Sequence, residues 1–268
     1  MGSWVRGRRA APATSSTLGP ESPILATTEP DGAPAAASAQ APHPEEQSYS
    51  ELMLRVGVKL PAATGRIGDY VAEVSALEAA GADSIWLDAM TGPSHEPWIL
   101  LGAISAVTHR IRLGTMVDSG AEWPFAVDSL QRLSGGRVVV GIALGSDLKQ
   151  RIELIRAVRS NTLPPRILIA CDSHADAERS ALLADGVILP GGEQEVRDLR
   201  AGRSGDGEFE LWADVPIPSD RAGWAKMTSA YGAAEATGII VSCDPRIIDL
   251  LRNAGEADDR TDLLIATG

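Results

Sequence analysis

The residues with chemical potential in this chain gather at the ends of short apolar runs. Asp88 falls in SIWLDAM (84–90), Gly145-Ser146-Asp147 follows RVVVGIAL (137–144), and Ala170-Cys171-Asp172-Ser173 joins RILIAC (166–171) to the next segment. Asp88 suits either a polar site role or the capping of the loop that follows. Backbone amides at a helix N-terminus bind phosphate well, so Ser173 is either a donor to an anion or an ordinary cap. Cys243, next to Asp244-Pro245, raises the thought of a thiol activated at a helix start. No histidine lies near it in sequence, and nucleophilic catalysis is not expected. His43, His95, His109 and His174 show no i, i+4 pairing and no zinc spacing, so metal binding is not expected. Neither a Gly-x-Ser-x-Gly elbow nor a Gly-x-Gly-x-x-Gly fingerprint is present; Gly141–Gly145 fails both.

The elements that must position these residues alternate. RVGVKL (55–60), SIWLDAM, IRLGTMV (111–117), RVVVGIAL, RILIAC, GVILP (186–190), FELWADV (209–215) and DLLIATG (262–268) read as strands. GIIVS (238–242) is a further apolar run that takes no firm place. Helices intervene. One is capped by Asp69 and stopped by Gly81; another opens at Glu96-Pro97, where a proline lacking an N–H costs nothing, and runs to His109-Arg110. Others cover Pro124–Leu133, the stretch DLKQRIELIRAVRS, ADAERSALLA behind Ser173, and Pro245–Asn253 behind Asp244. Eight near-continuous apolar strands separated by helices indicate a parallel sheet covered on its outside. The expected fold is an α/β (β/α)8 TIM barrel, shortened, as a single domain; an open doubly wound sheet is the alternative.

Composition bounds the rest. Residues 1–50 are rich in Ala, Pro, Ser and Thr with few large apolar side chains, which predicts a disordered leader before a barrel domain at 51–268. Arg6, Arg8 and Arg9 imitate the basic start of an export signal, but no apolar segment follows; a tag or a misassigned start is the plainer reading. No apolar run approaches the roughly 20 residues of a membrane span, and a cytoplasmic protein is expected. The net charge of −12 argues against nucleic acid, which calls for a basic surface. Cys171 and Cys243 form no C-x-x-C pair and read as reduced thiols.

Three segments then carry a resemblance: EPWILLGAISAVTHRIRLGTMV (96–117), LQRLSGGRVVVGIALGS (130–146) and PPRILIACDSHADAERSALLADGVILPGG (164–192). Their Thr-x-x-Ile-x-Leu-Gly-Thr run (Thr108–Thr115), Leu-Ser-x-Gly-Arg corner (Leu133–Arg137) and Ala184-Asp185-Gly186 resemble, in order, the pattern of the luciferase-like monooxygenase family. That family holds flavin-dependent monooxygenases and oxidoreductases that use the deazaflavin coenzyme F420.

The resemblance implies a site at the C-terminal mouth of the barrel. It marks Asp88 and Ser146 as catalytic positions, and Gly114, Thr115, Met116, Val117, Gly145, Cys171 and Ser173 as cofactor-binding. It also implies that the Ser134–Arg137 corner is structural and that residues 114–117 can bulge around a non-proline cis peptide. Departures are visible. Ala89 stands where the family commonly has a histidine, and Ser146 where deazaflavin relatives can have an acid, with Asp147 as neighbouring substitute or as a helix cap. Asp172 replaces a glycine and would repel a phosphate. Pro124–Leu133 is short by about one helical turn, the segment after the fourth strand is compressed, and no covering helix is expected after DLLIATG.

The function this implies is a luciferase-like oxidoreductase or monooxygenase using coenzyme F420 or FMN on a small organic substrate. The alternative is a catalytically degenerate barrel acting as a cofactor-binding or partner subunit, and a homo- or hetero-dimer fits either. A phosphate-binding barrel of sugar or amino-acid metabolism is disfavoured by the motifs.

Overall fold

A computed structural model describes residues 54–61, 65–87, 96–117, 123–142, 148–203 and 208–252. The predicted leader, residues 1–50, lies outside them. The described strands close into one parallel barrel in chain order: β1 (Arg55–Leu60), β2 (Ser84–Leu87), β3 (Arg112–Val117), β4 (Val138–Ile142), β5 (Arg166–Ala170), β6 (Gly186–Pro190), β7 (Glu210–Asp214) and β8 (Gly238–Ser242). A helix follows each: α1 (Ile67–Ala80), α2 (Pro97–Ser105), α3 (Trp123–Leu133), α4 (Leu148–Arg159), α5 (His174–Ser180), α6 (Glu193–Ala201), α7 (Arg221–Ala233) and α8 (Ile247–Arg252). The TIM barrel expected from the alternating pattern is therefore what the chain forms.

Two expectations are corrected. The eighth strand is GIIVS, which pairs with β1 from Arg55↔Gly238 to Lys59↔Ser242 and with β7 from Trp212↔Gly238 to Asp214↔Ile240. DLLIATG, assigned that place from sequence, lies outside the described residues. The covering helix expected to be missing is present as α8, which buries Ile247 and Leu250. Smaller shifts occur at helix ends. α1 starts at Ile67 with Asp69 in its first turn, and Gly81 stops it at φ 97°. α2 ends at Ser105, short of His109, with Glu96 accepting from the Ile99 amide at 2.9 Å.

Strand alternation sorts side chains into two cores. Val58, Ile85, Leu113, Val140, Ile167 and their equivalents face the helices. Trp86, Val139, Leu168, Ile188, Trp212 and Ile240 fill the barrel, with Met116 packed on them. Two tryptophans fit inside because glycines face them. A Cβ on Gly114 would stand 2.6 Å from Trp86 Cδ2, and one on Gly57 would stand 3.0 Å from Trp86 Nε1. Gly238 makes the same allowance for Trp212.

The N-terminal end of the barrel is closed by charge. Arg112 donates to Asp83 at 2.6 Å and to both Glu210 oxygens at 3.0 Å. Its guanidinium lies 5.1 Å from the Trp212 ring centroid, and Trp212 Nε1 donates to Glu210 at 2.8 Å. Opposing charges this well hydrogen-bonded tolerate burial, and this end of a TIM barrel serves stability.

Candidate active site

The C-terminal ends of the strands form the other face, where TIM-barrel active sites lie. The last inward-facing described residues, by strand alternation, are Lys59, Met116, Ala170, Pro190, Asp214 and Ser242. Below them the barrel is apolar, made by Trp86, Ile188 and Ile240. Above it, among the described residues, stands an ion pair. Lys59 Nζ donates to Asp214 Oδ1 at 2.7 Å and to Oδ2 at 2.6 Å, reaching from β1 past β8 to β7. The two side chains are 37% and 40% exposed, so solvent and small molecules reach them. Next to the pair, the Cys243 amide donates to the Lys59 carbonyl at 2.7 Å, which fixes the strand end that carries the lysine.

Further along the rim, on the turn after β8, Arg246 binds both Asp244 oxygens, at 2.8 and 3.0 Å, and the Ser219 carbonyl at 2.6 Å. The Arg246 side-chain and backbone hydrogen bonds pull Asp244 down from its ordinary value to about 2. Cys243 Sγ donates to Glu73 Oε1 at 3.2 Å, and burial together with Glu73 pushes this thiol up to about 12. It is thus a protonated thiol, not an activated nucleophile.

The residues marked from sequence separate. Asp88, Gly145 and Ser146 lie outside the described residues, as does Asp147. Gly114 sits in mid-barrel, where its missing side chain makes room for Trp86. Thr115 is buried, and its hydroxyl donates to the Leu87 carbonyl at 3.3 Å. Val117 packs in the core between strands and helices. Of that run, Met116 is the one that reaches the mouth. β3 runs unbroken through 112–117, and no cis peptide is found among the described residues, so the expected bulge does not form there.

The turn after β5 is committed to structure. The Cys171 amide donates to the Ile188 carbonyl at 2.9 Å, and its buried thiol donates to the Ile169 carbonyl at 3.4 Å. Burial raises the thiol to about 11, with Ser180, Asp176 and Arg151 as its polar neighbours. Ser173 caps α5, accepting from the Asp176 amide at 3.3 Å and donating to Asp172 at 3.1 Å. An incoming phosphate would meet the Asp172 carboxylate, and the Cys171 amide and Ser173 hydroxyl already have acceptors.

Lys59 and Asp214 were not singled out from sequence. The available signal was a charge near the C-terminal end of each strand, RVGVKL and ELWAD, two residues beyond an inward-facing position (Gly57, Trp212). Period-two alternation places such a residue at the barrel mouth.

A flavin or deazaflavin fits part of this face. A flat conjugated ring with a polar edge suits an apolar floor topped by the Lys59–Asp214 pair, whereas Asp172 in the β5–α5 turn repels a phosphate. Among the described residues, no group of three or more His, Cys, Asp or Glu is placed to hold a metal ion. None of the described helices is long and apolar enough to cross a membrane.

Comparison with known proteins agrees with the barrel. An F420-dependent secondary alcohol dehydrogenase in complex with an F420-acetone adduct superposes with a TM-score of 0.58 at 11% identity, covering 75% of this chain and 96% of that one. The coenzyme F420 dependent tetrahydromethanopterin reductase from Methanopyrus kandleri gives 0.55 at 12% identity, with 75% and 96% covered. Tryptophan synthase from M. tuberculosis gives 0.54 at 14% identity, with 77% and 94% covered. At such identities the likeness is one of fold. No curated protein matches the chain. The family model described as luciferase-like monooxygenase matches residues 50–154, from β1 into α4. Over those residues the chain is similar to the luciferase-like monooxygenase family, and the barrel built around them is a fold its members share with the neighbours above.

Proposed function

We propose that the chain is an oxidoreductase that holds a flavin or deazaflavin ring at the C-terminal mouth of its barrel and oxidises or reduces a small organic molecule there. The observation that carries this reading is the family match over residues 50–154, which falls on β1–β4 and so on one side of that mouth. Of the two carriers, coenzyme F420 is put first, because two of the barrel neighbours are F420-dependent enzymes; FMN is the other. The ring supplies the electron-transfer chemistry when bound. The chain's own task is to seat it, exclude water and handle protons. Met116 and the apolar layer under it make the seat, and the wall of helices around the strands keeps water out below the mouth. Asp88 and Ser146, which follow the ends of β2 and β4 in sequence, are the proposed proton-handling groups. The ligand is a small molecule rather than nucleic acid or membrane, the compartment is the cytoplasm, and the oligomer is a homo- or hetero-dimer.

A second reading has one observation in its favour. Cys171 and Ser173 spend their donors within the protein, as in a barrel that binds a cofactor or a partner without turnover. Titration of the full chain with FMN and, separately, with F420, followed by ligand fluorescence and thermal shift, tests both. Saturable micromolar binding of one ring supports the oxidoreductase. Binding without reduction of the ring by any of a panel of alcohols and aldehydes favours the second reading. Absence of binding by a folded chain contradicts the first.

A further inference from the structure

The chain has 24 basic residues, and three of them are lysines: Lys59, Lys149 and Lys226. Lys149 is 84% exposed on α4, and Lys226 is exposed on α7. The buried and half-buried joints of the barrel are instead made by arginine: Arg112 at the closed end, Arg137 at the corner before β4, and Arg151 between α4 and α5. Arginine's rigid planar fork suits fixed carboxylates and carbonyls, whereas lysine offers a compact ammonium with three donors on a flexible stem. Placing a lysine at the mouth of a barrel otherwise tied by arginines therefore points to a different use. Stability does not require it, since half-exposed ion pairs contribute little.

Two of the three Lys59 donors are taken by Asp214 Oδ1 and Oδ2, at 2.7 and 2.6 Å. The third meets no acceptor among the described residues. The ammonium is held in place by Asp214 and open to the mouth at 37% exposure.

We propose that Lys59 is the ligand-facing cation of this mouth: its remaining N–H meets a ligand oxygen that carries or gains negative charge, and Asp214 is the positioning residue that aims it. The shared chemistry is an anionic oxygen, and two sources supply one. These are the carbonyl edge of the bound ring, an arm that rests on the proposed function, and a carboxylate on the organic substrate, an arm that does not.

The test uses the full chain, acetic anhydride as a limiting acylating reagent, and mass spectrometry at the three lysines. FMN, F420 and sodium benzoate are the probes. One of them is expected to slow acylation of Lys59 at least tenfold, while Lys149 and Lys226 keep their rates as internal controls. Protection by FMN or F420 assigns the ring edge; protection by benzoate assigns a substrate carboxylate. Lys59→Met then weakens the protecting probe at least tenfold with an unchanged circular dichroism spectrum, and Lys59→Arg restores part of the loss. Asp214→Asn leaves the ammonium but releases it, so Lys59 acylates faster in the free protein. A ring that binds the wild type and Lys59→Met equally well, with Lys59 reacting at its free rate in the presence of the ring and of benzoate alike, overturns the inference and leaves the proposed function standing. Failure of FMN, F420 and benzoate alike to bind or protect overturns both.

Discussion

Arg137 Nη1 donates to the Thr108 hydroxyl at 3.0 Å, joining two motifs that stand 29 residues apart. The same guanidinium donates to the Thr108, Ile111, Ser105 and Ser134 carbonyls at 2.9, 2.8, 3.1 and 2.8 Å. One side chain thus ties the end of α2, the start of β3 and the corner before β4, where Gly135 and Gly136 turn the chain at φ 67° and 91°. Replacing Arg137 by Ala is expected to cost about 2–4 kcal/mol, because several carbonyls lose their donor at once. Lysine is expected to recover less than half of that, since a single ammonium cannot serve carbonyls spread over three segments. Urea unfolding of the two variants measures this.

Glu78 does for amides what Arg137 does for carbonyls. Its Oε1 accepts from the His109, Arg110 and Ile111 amides at 2.8, 2.6 and 2.9 Å. Burial pushes its carboxyl up, but the three amides and the Arg137 charge outweigh burial, and the net shift is below the ordinary 4.5. A carboxyl lowered in the folded state stabilises fully above its unfolded value, and that share is lost as pH falls through the folded one. Glu78→Gln is therefore expected to cost about 1–2 kcal/mol at pH 7. The gap to wild type should narrow as the pH is taken below 4.5, and thermal denaturation across that range reads it.

Gly114→Ala places a methyl 2.6 Å from Trp86 Cδ2. Overpacking of this kind costs about 1–3 kcal/mol, and Trp86 must shift to relieve it. The expected signature is a lowered melting temperature together with a changed tryptophan emission. Gly65→Ala, where a Cβ meets nothing within 4 Å, is expected to change neither by much.

Both thiols are held protonated, Cys171 to about 11 and Cys243 to about 12, chiefly by burial. For Cys171 the rise from 9.0 reduces the thiolate at pH 8 by roughly a hundredfold. Iodoacetamide at pH 8 should alkylate the folded chain far more slowly than the chain in denaturant. The linkage runs toward alkali. Stability from these thiols is complete below 9.0 and declines as pH rises through about 11 to 12. Rapid alkylation of folded Cys171 would contradict this burial.

The barrel was legible because its strands are continuous apolar runs between capped helices, and Gly81 and Pro97 stand where helices stop and start. The error at the last strand has a physical cause. GIIVS and DLLIATG are both short apolar runs, and period alone does not rank them; what places GIIVS is its pairing with β1 and β7. The site was less legible for a related reason. The motifs that carry the family resemblance proved to be joints: Thr108 and Arg137 bind each other, and Asp185 accepts from the Ile167 amide and from Arg159, each at 2.9 Å. Such residues announce the scaffold. Lys59 and Asp214 come from strands far apart in sequence and meet when the barrel closes.

The most direct test of the central claim is a crystal structure of the full chain grown with coenzyme F420, and with FMN in parallel. The account predicts ring density at the C-terminal mouth, over Met116 and within reach of Lys59. Ring density at the closed end around Arg112 and Glu210, or crystals soaked to saturation with no ring at the mouth, would contradict it.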